Sequence, residues 1–290
     1  MSKKLMGYNK MLPSRIIIAA AIVAHIVIFS FLLMASAAAF ANSDVGDSVA
    51  GRVPQLLTAV SEKNAKTREC TLGNAVSDAV RFALSADLAI VCGGYLVRNL
   101  LPGYIAWDDL RAVFVEDYHL ASVEVTPKKL SEILEAGVSR ITLDETESID
   151  EYASAYDGFP QISGFTLIYD ASAPPGSRVY EIRIGGKIID INDDDTLFRL
   201  AATKHMLDGG YGLPAIHNVE SSELTLSDAF AVYMNHGMPE YRETELRIFP
   251  AGARDSLLAV FFPMGLALMA AILIILGNGQ RFRRLFDFQL

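Results

Sequence analysis

Two long apolar stretches bracket a middle section in which apolar and polar residues alternate at shorter periods. Residues 16–41, IIIAAAIVAHIVIFSFLLMASAAAFA, hold one titratable side chain, His25, and follow Lys3, Lys4, Lys10 and Arg15. A basic start, an apolar body and the small-x-small run Ala39-Phe40-Ala41 predict a secretory signal over 1–41. Its length leaves an uncleaved N-terminal anchor as the alternative. Residues 256–276, SLLAVFFPMGLALMAAILIIL, run 21 positions without a charge, enough to cross ~30 Å of hydrocarbon. Pro263 and Gly265 do not oppose a span, because membrane helices tolerate both. Arg281, Arg283 and Arg284 follow it, which predicts a cytoplasmic tail over 277–290. The expected arrangement is a cell-membrane protein with the bulk of the chain extracytoplasmic.

Between the two stretches the periods are mixed. Residues 52–64 carry helical spacing and predict a lead-in helix within 42–65. Residues 74–84 repeat apolar positions at three and four, with Ala75, Ala79, Val80 and Ala83 on one side. The run 86–94, ADLAIVCGG, predicts a buried strand stopped by two glycines. A strand is expected at 118–125 and a helix at 126–140, with Thr126 as N-cap and Pro127 at the first position. The acidic stretch 143–157 predicts a surface excursion. Strands are expected at 161–170, at 178–189 as a hairpin about Gly185-Gly186, and at 197–203. A last helix over 226–237 has Ser227 as its expected cap. Early alternation of helix and strand, then a strand-rich part, predicts an α/β domain of mixed α+β character over 66–249, with a linker at 250–255.

Composition sharpens this. The chain is 51% hydrophobic, and the excess lies in the two apolar stretches. The section 42–254 holds 18 Lys and Arg against 32 Asp and Glu, a formal charge of −14. That excludes broad adhesion to nucleic acid, which needs a basic surface, so no nucleic-acid partner is expected. Cys70 and Cys92 are the two cysteines. Outside the cell they either form a disulfide or remain two buried thiols, and spacing does not choose. No two of His25, His119, His205, His217 and His236 lie at metal-pair spacing. DINDDDT at 190–196 lacks the glycine and closing glutamate of a calcium loop and reads as a solvated turn. No cofactor motif is present.

Dispersed motifs carry a resemblance. RECTLGNAVSDAV (68–80), the strand-loop CGGYLVR (92–98), FPQISGFTLIYD (159–170), PPGSRV (174–179) and DGGYGLP (208–214) occur in the order and spacing of the C-terminal domain of the 5'-nucleotidase family, which this section resembles through DAFAVYM to about Ile248. The resemblance implies a domain that holds a nucleoside between two aromatic rings, with Asn, Arg and Asp side chains on its polar groups. It also implies a separate N-terminal metallophosphatase domain with two metal ions and the catalytic groups. Only 24 residues separate Ala41 from Lys66, so catalytic residues and metal ligands are not expected here.

The positions implied to face a nucleoside have changed. Cys92 stands for the Asn of the strand-loop, before Gly93 and Gly94. Val97 stands for the Arg, with Arg98 next to it. Glu116 replaces the first stacking Phe, two residues before Tyr118. In the last loop Gly209 and Gly210 persist, while Tyr211 replaces the Asp and Leu213 the second ring. These residues, with Arg68, are the candidate ligand-binding set. Loss of stacking costs about 1–3 kcal/mol per ring, and Glu116 would repel phosphate. The expectation is a membrane-anchored domain, non-catalytic alone, that binds a small ligand or a protein partner. The alternatives are the nucleotide-binding half of a hydrolase completed by a metallophosphatase chain, and an extracytoplasmic sensor or assembly subunit.

Overall fold

The computed structural model describes residues 49–60, 64–146, 148–242 and 245–251. The expected signal segment and membrane span lie outside the described residues. Among the described residues no helix is long and apolar enough to cross a membrane.

Among the described residues three sheets carry the fold. The largest has the order β10-β4-β9-β2-β5, formed by Glu220–Thr225, His119–Val125, Phe198–Thr203, Leu88–Cys92 and Pro160–Ser163. β2 runs parallel to β9 and antiparallel to β5. The second has the order β11-β6-β7-β8, formed by Ile248–Pro250, Phe165–Tyr169, Val179–Ile184 and Lys187–Ile188. The third pairs β1 (Val49–Val53) with β3 (Gly103–Ala106). Helix α1 (Thr71–Ala83) packs on β2, β5 and α5 (Leu226–Gly237), and α3 (Pro127–Val138) packs on β4, β5 and β7. Every residue of β2 is buried, so it reads as a continuous apolar run, as a strand covered on both faces must. Two short helices, α2 (Trp107–Arg111) and α4 (Lys204–Leu207), complete the set.

Most of the expected elements form where the periods place them. Thr126 caps α3 by accepting from Lys129 N, with Pro127 in the first turn. The hairpin turns at Gly185 and Gly186, whose φ values of 57° and 78° suit residues without a Cβ.

Three expectations are corrected. Residues 52–60 form no helix: β1 ends at Val53, and the chain continues through bends and an isolated bridge at Leu57. The reason is where the backbone donors go. Leu57 exchanges both hydrogen bonds with Leu100, Ala59 N and Val60 N donate to Asn99 Oδ1, and Pro54 has no N–H to give. Second, 161–170 is two strands in different sheets. Gly164, at φ 88°, turns the chain where a Cβ would stand 2.2 Å from Asp87 O. Third, α5 is capped by Thr225, whose hydroxyl accepts from Asp228 N while the Asp228 carboxylate accepts from Thr225 N. That reciprocal pair satisfies two end donors at once, and Ser227 lies inside the first turn.

Candidate functional site

The end of β2 starts the candidate site. Gly93 and Gly94 open a short 3-10 turn that closes at Tyr95. A Cβ on Gly93 would stand 1.9 Å from Ala65 O, and one on Gly94 2.5 Å from Asp157 Cβ. Their amides donate to Phe159 O and Asp157 O. The close approach these glycines allow is therefore to the protein's own backbone.

Cys92 and Cys70 are not joined by a disulfide. Cys70 caps α1, its Sγ accepting from Gly73 N at 3.2 Å. Cys92 is fully buried, and burial pushes its thiol up to about 12 despite a hydrogen bond with the Tyr95 hydroxyl.

Tyr95 is the centre of a ring cluster. Its hydroxyl lies 2.8 Å from Thr203 Oγ1 and 3.0 Å from His205 Nδ1. Its ring packs at 4.9 Å from Tyr118 and 5.5 Å from Tyr211. His205 stacks on Tyr118 at 4.5 Å with 15° between planes, and meets Tyr211 edge-on at 5.1 Å. Burial raises the hydroxyl pKa of Tyr95, Tyr118 and Tyr211 above the ordinary phenol value. Secondary causes are the Cys92 thiol for Tyr95, the Glu116 carboxylate for Tyr118, and Tyr118 for Tyr211. All three are held protonated as hydrogen-bonding groups.

The loop after α4 brings Tyr211 to this cluster. Gly209 and Gly212 take φ 93° and 79°. Tyr211 itself sits at φ 58° and ψ 15°, a conformation costly for a residue with a Cβ. Its carbonyl accepts from Tyr156 OH at 2.7 Å, which pins it. A Cβ on Gly210 would stand 2.3 Å from His205 Cε1. Here too the glycine makes room for a side chain of the protein.

Of the sequence-predicted residues, the fold brings Cys92, Tyr118 and Tyr211 together around Tyr95, with Gly210 against His205. Glu116 is exposed beside Tyr118, and Arg98 is exposed on the loop beyond Tyr95. Leu213 is buried in the core. Arg68 pairs with Glu151 at 2.5 Å. Sequence reasoning missed His205, Thr203 and Tyr156. The available signal for His205 was its place ahead of the Gly209-Gly210 pair on a short helix.

The shared motifs around α1 do structural work. Glu69 accepts from Asn74 Nδ2 at 2.7 Å and from the backbone N–H groups of Glu245 and Arg247 at 3.0 and 2.9 Å. Asn74 lies within the first turn of α1. Asp78 receives both Nη atoms of Arg247, at 2.7 and 2.9 Å. Gln161 Nε2 donates to Ala65 O and Arg68 O. Arg178 Nη1 donates to Val138 O and Ile141 O.

Among the described residues no group of three or more His, Cys, Asp or Glu is placed to hold a metal ion. Two clefts among the described residues are lined by none of these four rings. One, of about 730 Å3, is lined by residues including Phe82, Trp107, Val232 and His236, and another, of about 510 Å3, lies over β4 and β10.

Fold and motifs define a class: a mixed α/β domain of the kind found in nucleotidases. A 5'-nucleotidase precursor from Thermus thermophilus superposes with a TM-score of 0.59 at 21% identity, over 71% of this chain and 40% of its own. Residues 48–218 match the 5'-nucleotidase, C-terminal domain, family, and the chain belongs to that family. It is 28% identical over 157 residues to the trifunctional nucleotide phosphoesterase protein YfkN of Bacillus subtilis (strain 168), covering 52% of this chain and 10% of that one. It is 24% identical over 249 residues to the 5'-nucleotidase of Diplobatis ommata, covering 79% of this chain and 41% of the relative. The chain thus spans less than half the length of either curated relative.

Proposed function

We propose that this chain is a membrane-anchored, extracytoplasmic 5'-nucleotidase C-terminal-like domain that hydrolyses no phosphoester on its own and acts by binding. The ring cluster carries this reading. Tyr95, Tyr118, His205 and Tyr211 pack on one another, so ring faces that would otherwise meet a planar base are spent within the protein. Glu116 beside them disfavours a phosphate. Export rests on the basic and apolar stretch 1–41, read as a secretory signal, and anchoring on the apolar stretch 256–276.

Calorimetric titration of the full chain in detergent with nucleosides, nucleotides and nucleotide sugars tests it, with and without divalent metal. No heat is expected from any of them. Micromolar binding would overturn the reading.

It would favour a second one, that the chain is the nucleotide-binding half of a hydrolase whose metallophosphatase part is a separate protein. That reading draws on the family membership and on the chain's short coverage of its relatives. Release of phosphate on adding such a partner would establish it.

A further inference from the structure

Two clefts meet over α1 and α5. One, of about 670 Å3, is lined by residues including Arg81, Ala86 and Tyr233. The other is the cleft of about 730 Å3 that reaches Trp107. Phe82, Leu224, Val232 and His236 line both, so the two are one trough with Arg81 at one end and Trp107 at the other. Each part is the size of a small-molecule site. Rings form its walls: Phe82 lies 4.5 Å from His236 and 5.7 Å from Tyr233. Arg111 stands over Trp107, its guanidinium carbon 5.3 Å from the ring centre. Phe82 and Val232 remain 40% and 48% exposed, so apolar surface is left for a ligand to cover.

The charges along the trough select what it takes. Arg81 Nε donates to Ser163 Oγ at 2.7 Å, and the Arg81 stem crosses Gly164, where a Cβ would stand 3.1 Å from its Cδ. The guanidinium is therefore held in place. Among the described residues its two Nη groups meet neither a hydrogen-bond partner nor a carboxylate. Asp78 lines the same end, but its four acceptor positions are taken. Ser163 Oγ and Arg247 Nη1 donate to one oxygen, and Tyr241 OH and Arg247 Nη2 to the other. Asp87 and Glu223, next to Ala86 and Leu224 in sequence, line neither part. The remaining acids nearby belong to the far end: Asp228 in its lining, and Asp108 and Asp109 directly after Trp107. An anionic head is thus drawn to Arg81 and turned away from Trp107. One guanidinium beside an ion-paired carboxylate suits a single negative charge, and its planar fork matches a carboxylate with two parallel bonds.

We propose that the trough between Arg81 and Trp107 binds a small aromatic carboxylate, with its carboxylate on the Arg81 Nη groups and its ring against Phe82 and Val232. None of the four clustered rings lines this trough, so the site goes beyond the reading above and stands apart from it.

Trp107 is the chain's one tryptophan, so its emission reports on the trough in the full chain, held in a neutral detergent. The probes are phenylacetate, phenethylamine, which carries a similar body with a cation, and acetate, which is the head alone. Phenylacetate is expected to change the emission saturably at about millimolar concentration, the range for a ligand of this size. Phenethylamine and acetate should bind about tenfold more weakly or not at all, since each lacks the charge or the body. Val232→Glu sets a negative charge in the trough at an exposed position and removes no hydrogen bond. Arg81→Met removes the fork. Each should weaken phenylacetate binding about tenfold or more, as loss of a bond to a charged group does, with urea midpoints checking that both variants fold. Equal affinity for acid and amine overturns the proposal. So does phenylacetate binding untouched by Val232→Glu, or no saturable response at all. Heat from nucleotides would overturn the earlier reading and leave the trough standing, and silence from phenylacetate would overturn the trough and leave that reading.

Discussion

Gly210 shows how a residue that looks made for a ligand is made for the fold. A Cβ there would stand 2.3 Å from His205 Cε1 and 2.6 Å from His205 O, so neither the ring nor the backbone can yield cheaply. Gly210→Ala is expected to displace His205 from Tyr118 and to cost about 1–3 kcal/mol, as overpacking does. A lower urea midpoint at unchanged slope would register it. Cys92 gives a second prediction. Its folded pKa of about 12 lies above the ordinary thiol value of 9.0, so the unfolded chain loses this proton first. The thiol's contribution is intact below about pH 9 and is lost as pH rises from there toward 12. Unfolding midpoints should fall across that window and fall less in Cys92→Ala. In the folded chain, Cys92 should resist alkylation at neutral pH. The sequence marked Cys92 and both glycine pairs as notable but did not show their neighbours. Ala65 and Asp157 are distant in sequence, and His205 sits on a short helix the periodicity did not register.

At the scale of elements, one ionic contact ties the first helix to the last strand. Arg247 places both Nη atoms on Asp78 of α1, and Glu69 holds the N–H groups of residues 245 and 247. Both partners of the ion pair are largely buried, with 18% and 14% of their side chains exposed. Arg247→Met leaves Asp78 without its cation, which typically costs about 3–5 kcal/mol, and the loss should appear in chemical denaturation. Thr225→Ala removes the cap of α5 for about 1 kcal/mol, whereas Ser227→Ala should cost less because Ser227 Oγ makes no hydrogen bond. The helix at 126–140 was legible because Thr126, Pro127 and the apolar spacing all agree locally. The helix expected at 52–64 failed because its partner, Leu100, lies some forty residues away. Periodicity does not register a donor satisfied at that distance.

For the whole molecule, the proposed binding role predicts that the folded chain with divalent metal releases no phosphate from nucleoside monophosphates. A phosphate assay on the full chain checks this, and turnover that tracks the protein through purification would contradict it. The cluster draws on the turn after β2, the loop before β4, α4 and the loop after it. No stretch of sequence contains it. Tyr95, Tyr118 and Tyr211 were visible as a possible set, but His205, which stacks among them, was read only as a histidine without a metal partner.

The sequence by itself established the family, the acidic middle section between two apolar stretches, and the elements whose caps and periods agree locally. Those properties are written in neighbouring residues or in motif order. Tertiary structure was needed to assign the motif residues their work. It set Glu69 and Asp78 to holding the last strand, Gly93 and Gly94 to packing against their own chain, and four rings to filling one another's faces. Each of these depends on contacts between residues tens to nearly two hundred positions apart. The free energy of such contacts comes from burial and from satisfied hydrogen bonds that exist only once the chain has closed on itself.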